Sequence, residues 1–406
     1  MLSWPLQASA DATVVSAVPR PGANLASAPA FVALEFSEAL NRSLSKADVV
    51  TPDGRRLLSD PAREQEIVIP VSGYQPGAYR VEWVAVSAVD GHVLGGAFNF
   101  GVGIVPRQTG ILERASPSPA EVAAAALRWL EYLGLLSTVG IMVVRRLAAN
   151  PPRIEWVQPS LPLALTVAFT GGLGVIGAEA FDAAGTLPGA ITFLTSGPPG
   201  WVRVARVAAE GVALMFCLRG VPLVAPAAVF AAAALAFAGH SAGVRPAAGA
   251  ILTDSLHVLS AGVWAGGIIA LAGLRPPGGW RGEEGRSLLS RFGRVALIAF
   301  AVTALTGVLR ASAELTAVSD LWTTSYGLVL SVKSVGVLAM VVLSSVTWRR
   351  RLPFARAEAA IAVAVLAATA LLAAYPMPPA RAADGAAIRE TAAAGWIRSA
   401  FDRARA

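Results

Sequence analysis

DSLHVLSAGVWAGGIIAL, residues 254–271, carries one carboxylate and one imidazole and is otherwise apolar or small. About 20 such residues cross a bilayer as a helix, so the stretch predicts a membrane span with Asp254 and His257 near one end. Segments of the same kind recur from about Trp129 onward. The whole chain of 406 residues is 55% hydrophobic and only 15% charged, against about 25% charged in a soluble domain. Eight spans are predicted, at 127–144, 161–178, 202–218, 223–239, 255–274, 295–312, 326–348 and 357–375.

Arginine orients them. The net charge is +7, with Lys46 and Lys333 the only lysines. With the N-terminal region outside, the inner loops hold thirteen arginines, among them Arg145, Arg146, Arg153 and Arg349–Arg351. The outer turns hold four: Arg203, Arg206, Arg245 and Arg310. Positive charge concentrates on the cytoplasmic side, so both termini are expected outside. The basic residues form no stripe interleaved with aromatics, which argues against a nucleic-acid partner. The single cysteine, Cys217, excludes an internal disulfide and any CxxC motif.

Before Trp129 the composition changes. In FVALEFSEAL, Val32, Leu34 and Phe36 share a face; in AYRVEWVAV, Tyr79, Val81 and Trp83 do, with Arg80 and Glu82 opposite. Period two means strands with one buried face, and PRPGAN, TPDG and GYQPG supply turns. A small all-β Greek-key sandwich is expected. The predicted division is 1–10 leader, 11–103 sandwich, 104–122 linker, 123–378 helical membrane domain and 379–406 tail. The MLSWPLQASA leader is short and poor in positive charge for a signal peptide. An upstream start, or export driven by the first membrane helix, is therefore expected.

Three histidines serve the whole chain. His92 lies in SAVDGHVLGGAFNFGVG, with Asp90 two residues before it in a turn between strands. An imidazole beside a carboxylate suits a divalent metal such as copper(II). In the predicted topology His240, in FAGHSAG, closes the fourth span on the outer side, and His257 opens the fifth on the same side. All three imidazoles thus gather at one interface. Asp254, one helical turn before His257, is read as orienting its ring, as capping the fifth helix, or both. Met377 is an outer thioether suited to copper(I).

Other polar groups at membrane depth are Glu210 and Lys333, read as an ion pair or part of a transport path. Glu131 is read as reaching water. Met142, Met215, Met340 and Cys217 are read as core filling; Trp264, Gly266 and Gly267 as close helix packing.

VEWVAVSAVDGH with GGAFNF, and ATVVSAVPRPGANLASAP with ALEFSEAL, resemble the CopC family of periplasmic copper-binding proteins. RWLEYLGLLSTVG, FAGHSAG, the 254–271 stretch and LWTTSYGLVLSVK resemble the CopD family of copper-resistance membrane proteins. The first resemblance implies copper(II) held by Asp90, His92 and an N-terminal histidine, whose place Asp11 takes here. That leaves a carboxylate-substituted site or a vestigial one. The second implies copper received at His240 and His257, with copper(I) expected in the membrane. Together they imply a transporter in the inner membrane, not an enzyme, with copper ion, lipid and periplasmic copper carriers as partners. No catalytic residue is assigned, and no nucleotide-binding loop is present to supply energy. Two rivals stand beside this reading: a copper-independent sensor or assembly scaffold, and a haem or quinone redox protein using His240 and His257 as axial ligands.

Overall fold

The computed structural model describes residues 12–375 except 72, 74, 109, 114–118, 238–246, 316 and 351–354. Asp11, His240 and Met377 lie outside the described residues.

Among the described residues nine strands form the N-terminal part: β1 (Val14–Val18), β2 (Asn24–Leu25), β3 (Phe31–Phe36), β4 (Lys46–Val50), β5 (Arg56–Leu58), β6 (Glu66–Pro70), β7 (Gly77–Val86), β8 (Val93–Val102) and β9 (Leu112–Glu113). One sheet has the order β1-β3-β6, and the other β2-β8-β7-β4-β5 with β9 on β8. The expected alternation is present. Val32, Leu34 and Phe36 from one sheet share a single core with Tyr79, Val81 and Trp83 from the other, while Arg80 and Glu82 pair on the outer face. Trp83 registers opposite Gly96, where a Cβ would sit 2.3 Å from its ring. Glycine there is what lets the indole lie across the neighbouring strand. β9 and the first turn of the next helix fall inside the segment read as a linker.

Helices follow: α1 (Pro119–Ala149), α2 (Leu161–Ala184), α3 (Leu187–Thr195), α4 (Pro198–Leu218), α5 (Val224–Ala234), α6 (Ala247–Ala261), α7 (Gly267–Ala272), α8 (Glu283–Glu314), α9 (Asp320–Thr323), α10 (Ser325–Arg350) and α11 (Ala355–Leu372). A π-helical turn, Gly262–Gly266, joins α6 to α7. Among the described residues six helices are long and apolar enough to cross a bilayer: α1, α2, α6–α7, α8, α10 and α11. The other two predicted spans fall on α4, which carries Arg203, Arg206 and Glu210, and on the short run Val224–Phe237. Outward residues of α8 and α10 are apolar and exposed, Leu297 at 69% and Val332 at 67% among them. A belt of that kind belongs against lipid, not water, and the chain is a multi-pass membrane protein.

α1 packs against α2, α5, α11 and the α6–α7 unit. It approaches the π turn backbone to backbone, because a Cβ on Gly140 would lie 2.1 Å from Gly266 C. Gly267 gives its space to the Phe292 ring, and Trp264 packs edge-on to Phe300 at 4.9 Å. At the far end of α1, Arg291 donates to the carbonyls of Leu147, Asn150 and Pro152 at 2.8–2.9 Å, answering the open acceptors of a helix C-terminus.

Candidate functional site

The β7–β8 hairpin ends in the loop 87–92, and this loop is built onto the helices. Ser87 Oγ accepts from the backbone N–H of Val89 and Asp90 at 3.0 and 3.2 Å. Asp90 Oδ1 accepts from His92 N–H at 2.9 Å, an Asx turn of the type that aspartate favours. Gly91 has φ +75°, and a Cβ on it would meet Arg203 Nη1 at 2.8 Å. Both backbone and space require glycine there.

Arg203, on α4, is the bracket. Its Nη2 donates to the Asp90 carbonyl at 2.8 Å, its Nε to Glu179 Oε2 at 2.7 Å, and its guanidinium lies over the Phe193 ring at 5.2 Å. Arg128 holds the other Glu179 oxygen. Beside this polar joint Leu44 and Val86 of the sandwich pack with Ala180, Ala183, Ala190 and Phe193. Asn41 Nδ2 donates to Ser196 Oγ at 3.2 Å.

Below the loop lies a cavity of ≈ 500 Å³, and its walls include Asp90, His92, Asp254, His257, Lys333 and Met340. His257 Nδ1 is 3.0 Å from Thr306 Oγ1. Thr306 commits its one hydroxyl proton to the Val302 carbonyl at 2.7 Å. By that bookkeeping the hydrogen between them sits on Nδ1, and in the neutral ring Nε2 keeps its lone pair. A second contact, Ser260 Oγ to Thr303 Oγ1 at 2.8 Å, zips α6 to α8 one turn away. Asp254 Oδ1 pairs with Arg310 Nε at 3.1 Å, Arg310 Nη2 with Glu314 Oε1 at 3.2 Å, and Tyr326 OH donates to Glu314 Oε2 at 2.6 Å.

Several expectations need correction. Asp254 does not cap its helix, because α6 begins at Ala247; the small residues before Asp254 continue the helix outward. His257 is accordingly well inside α6, not in its first turn. Glu210 and Lys333 do not pair. Glu210 is fully buried and has Glu131 and Arg206 as its charged neighbours, whereas Lys333 lines the cavity with Arg310 and Glu314. Glu131 does not reach water: it is 0% exposed, because α1 starts well before it at Pro119. Arg203, Arg206 and Arg310 are not turn residues. They lie within α4 and α8, and each lines the cavity. Met340 is core filling and cavity wall at once, while Met215 lies 37% exposed on the outside.

Sequence reasoning passed over Arg128, Glu179, Glu314 and Thr306. A signal for part of this set existed: Arg203, Arg206 and Glu210 are spaced three and four apart, which puts three ionisable groups on one helical face.

Among the described residues no three side chains of histidine, cysteine or carboxylate type converge on a point that could hold a metal. What converges is the cavity, with Asp90 and His92 at its sandwich end and His257 deeper.

Known proteins agree with both halves. The CopC domain family matches residues 14–103, and copper resistance protein D matches residues 286–375. The chain is 28% identical over 424 residues to the copper transport protein CutJ of Bacillus subtilis, covering 92% of this chain and 76% of that protein. It is 31% identical over 99 residues to protein YobA of Escherichia coli, covering 23% of this chain and 79% of YobA. The crystal structure of CopC from Methylosinus trichosporium OB3b matches 23% of this chain and 93% of its own, at 22% identity and a TM-score of 0.21. The chain belongs to the CopC–CopD copper resistance and transport family, with a CopC domain and a copper resistance protein D domain in one polypeptide.

Proposed function

We propose that the chain captures copper on the extracytoplasmic side and carries it across the inner membrane. Copper(II) binds at Asp90 and His92, with Asp11 contributing a carboxylate. The ion then moves through the cavity to His257 and His240; Met377 serves as an outer thioether for copper that arrives already reduced to copper(I). The supporting observation is one cavity whose wall includes both the Asp90–His92 loop and His257. CutJ is named for copper transport, and its likeness extends across both domains. The orientation rests on the arginine asymmetry, which puts the CopC domain and the C-terminus outside. The full count is eight spans, with α4 and the 224–237 segment crossing as parts of the bundle.

Copper content by elemental analysis, in cells with and without the chain, tests the direction. Uptake predicts more cell copper with the chain present at limiting external copper. Equal or lower content contradicts uptake, and a Soret band in the purified protein would favour haem.

A further inference from the structure

Glu131 on α1 and Glu210 on α4 face each other behind the cavity wall, both at 0% exposure. Arg206 Nε lies 2.9 Å from Glu131 Oε1, but off the direction of its N–H. None of the four carboxyl oxygens meets a hydrogen-bond donor. The pocket is made for the acids. A Cβ on Gly172 of α2 would lie 2.4 Å from Glu210 Oε2, and one on Gly171 would lie 2.5 Å from Glu131 N. The bare backbone of Gly172 therefore admits the Glu210 carboxyl, and that of Gly171 lets the α1 backbone come close at Glu131.

The surrounding charges are few. α1 offers Arg128 and Tyr132. On α2, Glu179 is already held by Arg128 and Arg203. α5, the π turn and α7 carry no titratable group. Asp254, His257, Arg310 and Glu314 line the cavity, and Glu358 of α11 is bonded by Ser344 and Thr347. Arg206 is thus the guanidinium in contact with the facing pair, while Arg128 and Arg203 both turn to Glu179. Two ionised acids would lie face to face where no water reaches and no donor meets their oxygens, and buried like charges in that position neutralise instead.

We propose that Glu131 and Glu210 share one proton, and that entry of a cation into the cavity expels it past Arg206 into the cavity and from there to solvent. Arg206 is the link, because it lines the cavity and contacts Glu131. A cation in the cavity drives its guanidinium toward the acids and favours their ionised form. The expulsion half rests on the copper reading above; the shared proton does not.

Infrared spectra of the full-length protein in lipid test the first half. Wild type minus Glu210→Gln, and wild type minus Glu131→Gln, should each show one protonated-carboxyl band that shifts in deuterium oxide. Each single variant leaves one ionised acid beside Arg206. Absence of that band from both differences overturns the shared proton. Proteoliposomes with an entrapped pH dye test the second half: copper addition should release protons from wild type and none from Glu210→Gln. Copper bound without proton release overturns the expulsion. A protein that binds no copper defeats the copper reading and leaves the infrared result standing.

Discussion

His257 is a ring held from one side. With the Thr306 proton directed to the Val302 carbonyl, Thr306 Oγ1 accepts from Nδ1, which leaves Nε2 its lone pair, the atom the proposed copper path would use. Thr306→Val removes that acceptor, and losses of such supporting bonds typically cost about 10- to 100-fold in metal affinity. Copper titration of the full-length protein should show a drop of that order; unchanged affinity would remove Thr306 from the account. Gly91→Ala places a methyl against the Arg203 guanidinium in a left-handed backbone. It should slow copper uptake several-fold while the purified protein stays monodisperse, and wild-type uptake rates would contradict the docking role. His257 was legible because a lone imidazole in an apolar run stands out. Thr306 was not, because a threonine in an apolar helix ordinarily bonds its own backbone, as this one also does.

At the scale of elements, glycine sets the packing. Gly140 meets Gly266 where α1 crosses the π turn, and a Cβ on Gly266 would lie 1.9 Å from the Leu136 carbonyl. Gly266→Ala should destabilise the protein by about 1–3 kcal/mol, the usual cost of overpacking, read as a lower Tm in detergent. An unchanged Tm would show that α1 and the π turn can separate freely. The strands were legible in the alternation of Val32, Leu34, Phe36 and of Tyr79, Val81, Trp83. The long helices were legible in apolar length. α4 was read correctly as helix but its arginines were misplaced in turns, since Arg203 and Arg206 gain their burial from Glu179 and Glu131 on other helices. Pairing between distant segments leaves no periodic mark. Arg203→Ala removes a charged hydrogen-bond donor from Glu179, worth about 1.5–3 kcal/mol. It should loosen the sandwich from the helices, seen as faster hydrogen exchange in loop 87–92. Wild-type exchange there would show that the apolar cluster around Phe193 suffices.

For the whole molecule, a sandwich with a docking loop is set over a helix bundle with a cavity, and the loop forms part of the cavity wall. Composition separated the two halves, and the Asp90–His92 turn was visible as a candidate ligand pair. The joint between them was not visible, because Asn41, Leu44 and Val86 meet partners on helices far along the chain, Asn41 reaching Ser196. Sidedness is testable with Asp60→Cys in a Cys217→Ala background: Asp60 is exposed on the sandwich. An impermeant maleimide should label it in intact cells, and labelling only after lysis would reverse the topology. The central claim is that copper passes the His257 imidazole. Copper uptake into proteoliposomes holding equal amounts of wild type and His257→Ala tests it most directly. The account predicts that the variant falls to the rate of empty liposomes while remaining folded; uptake at the wild-type rate would contradict it.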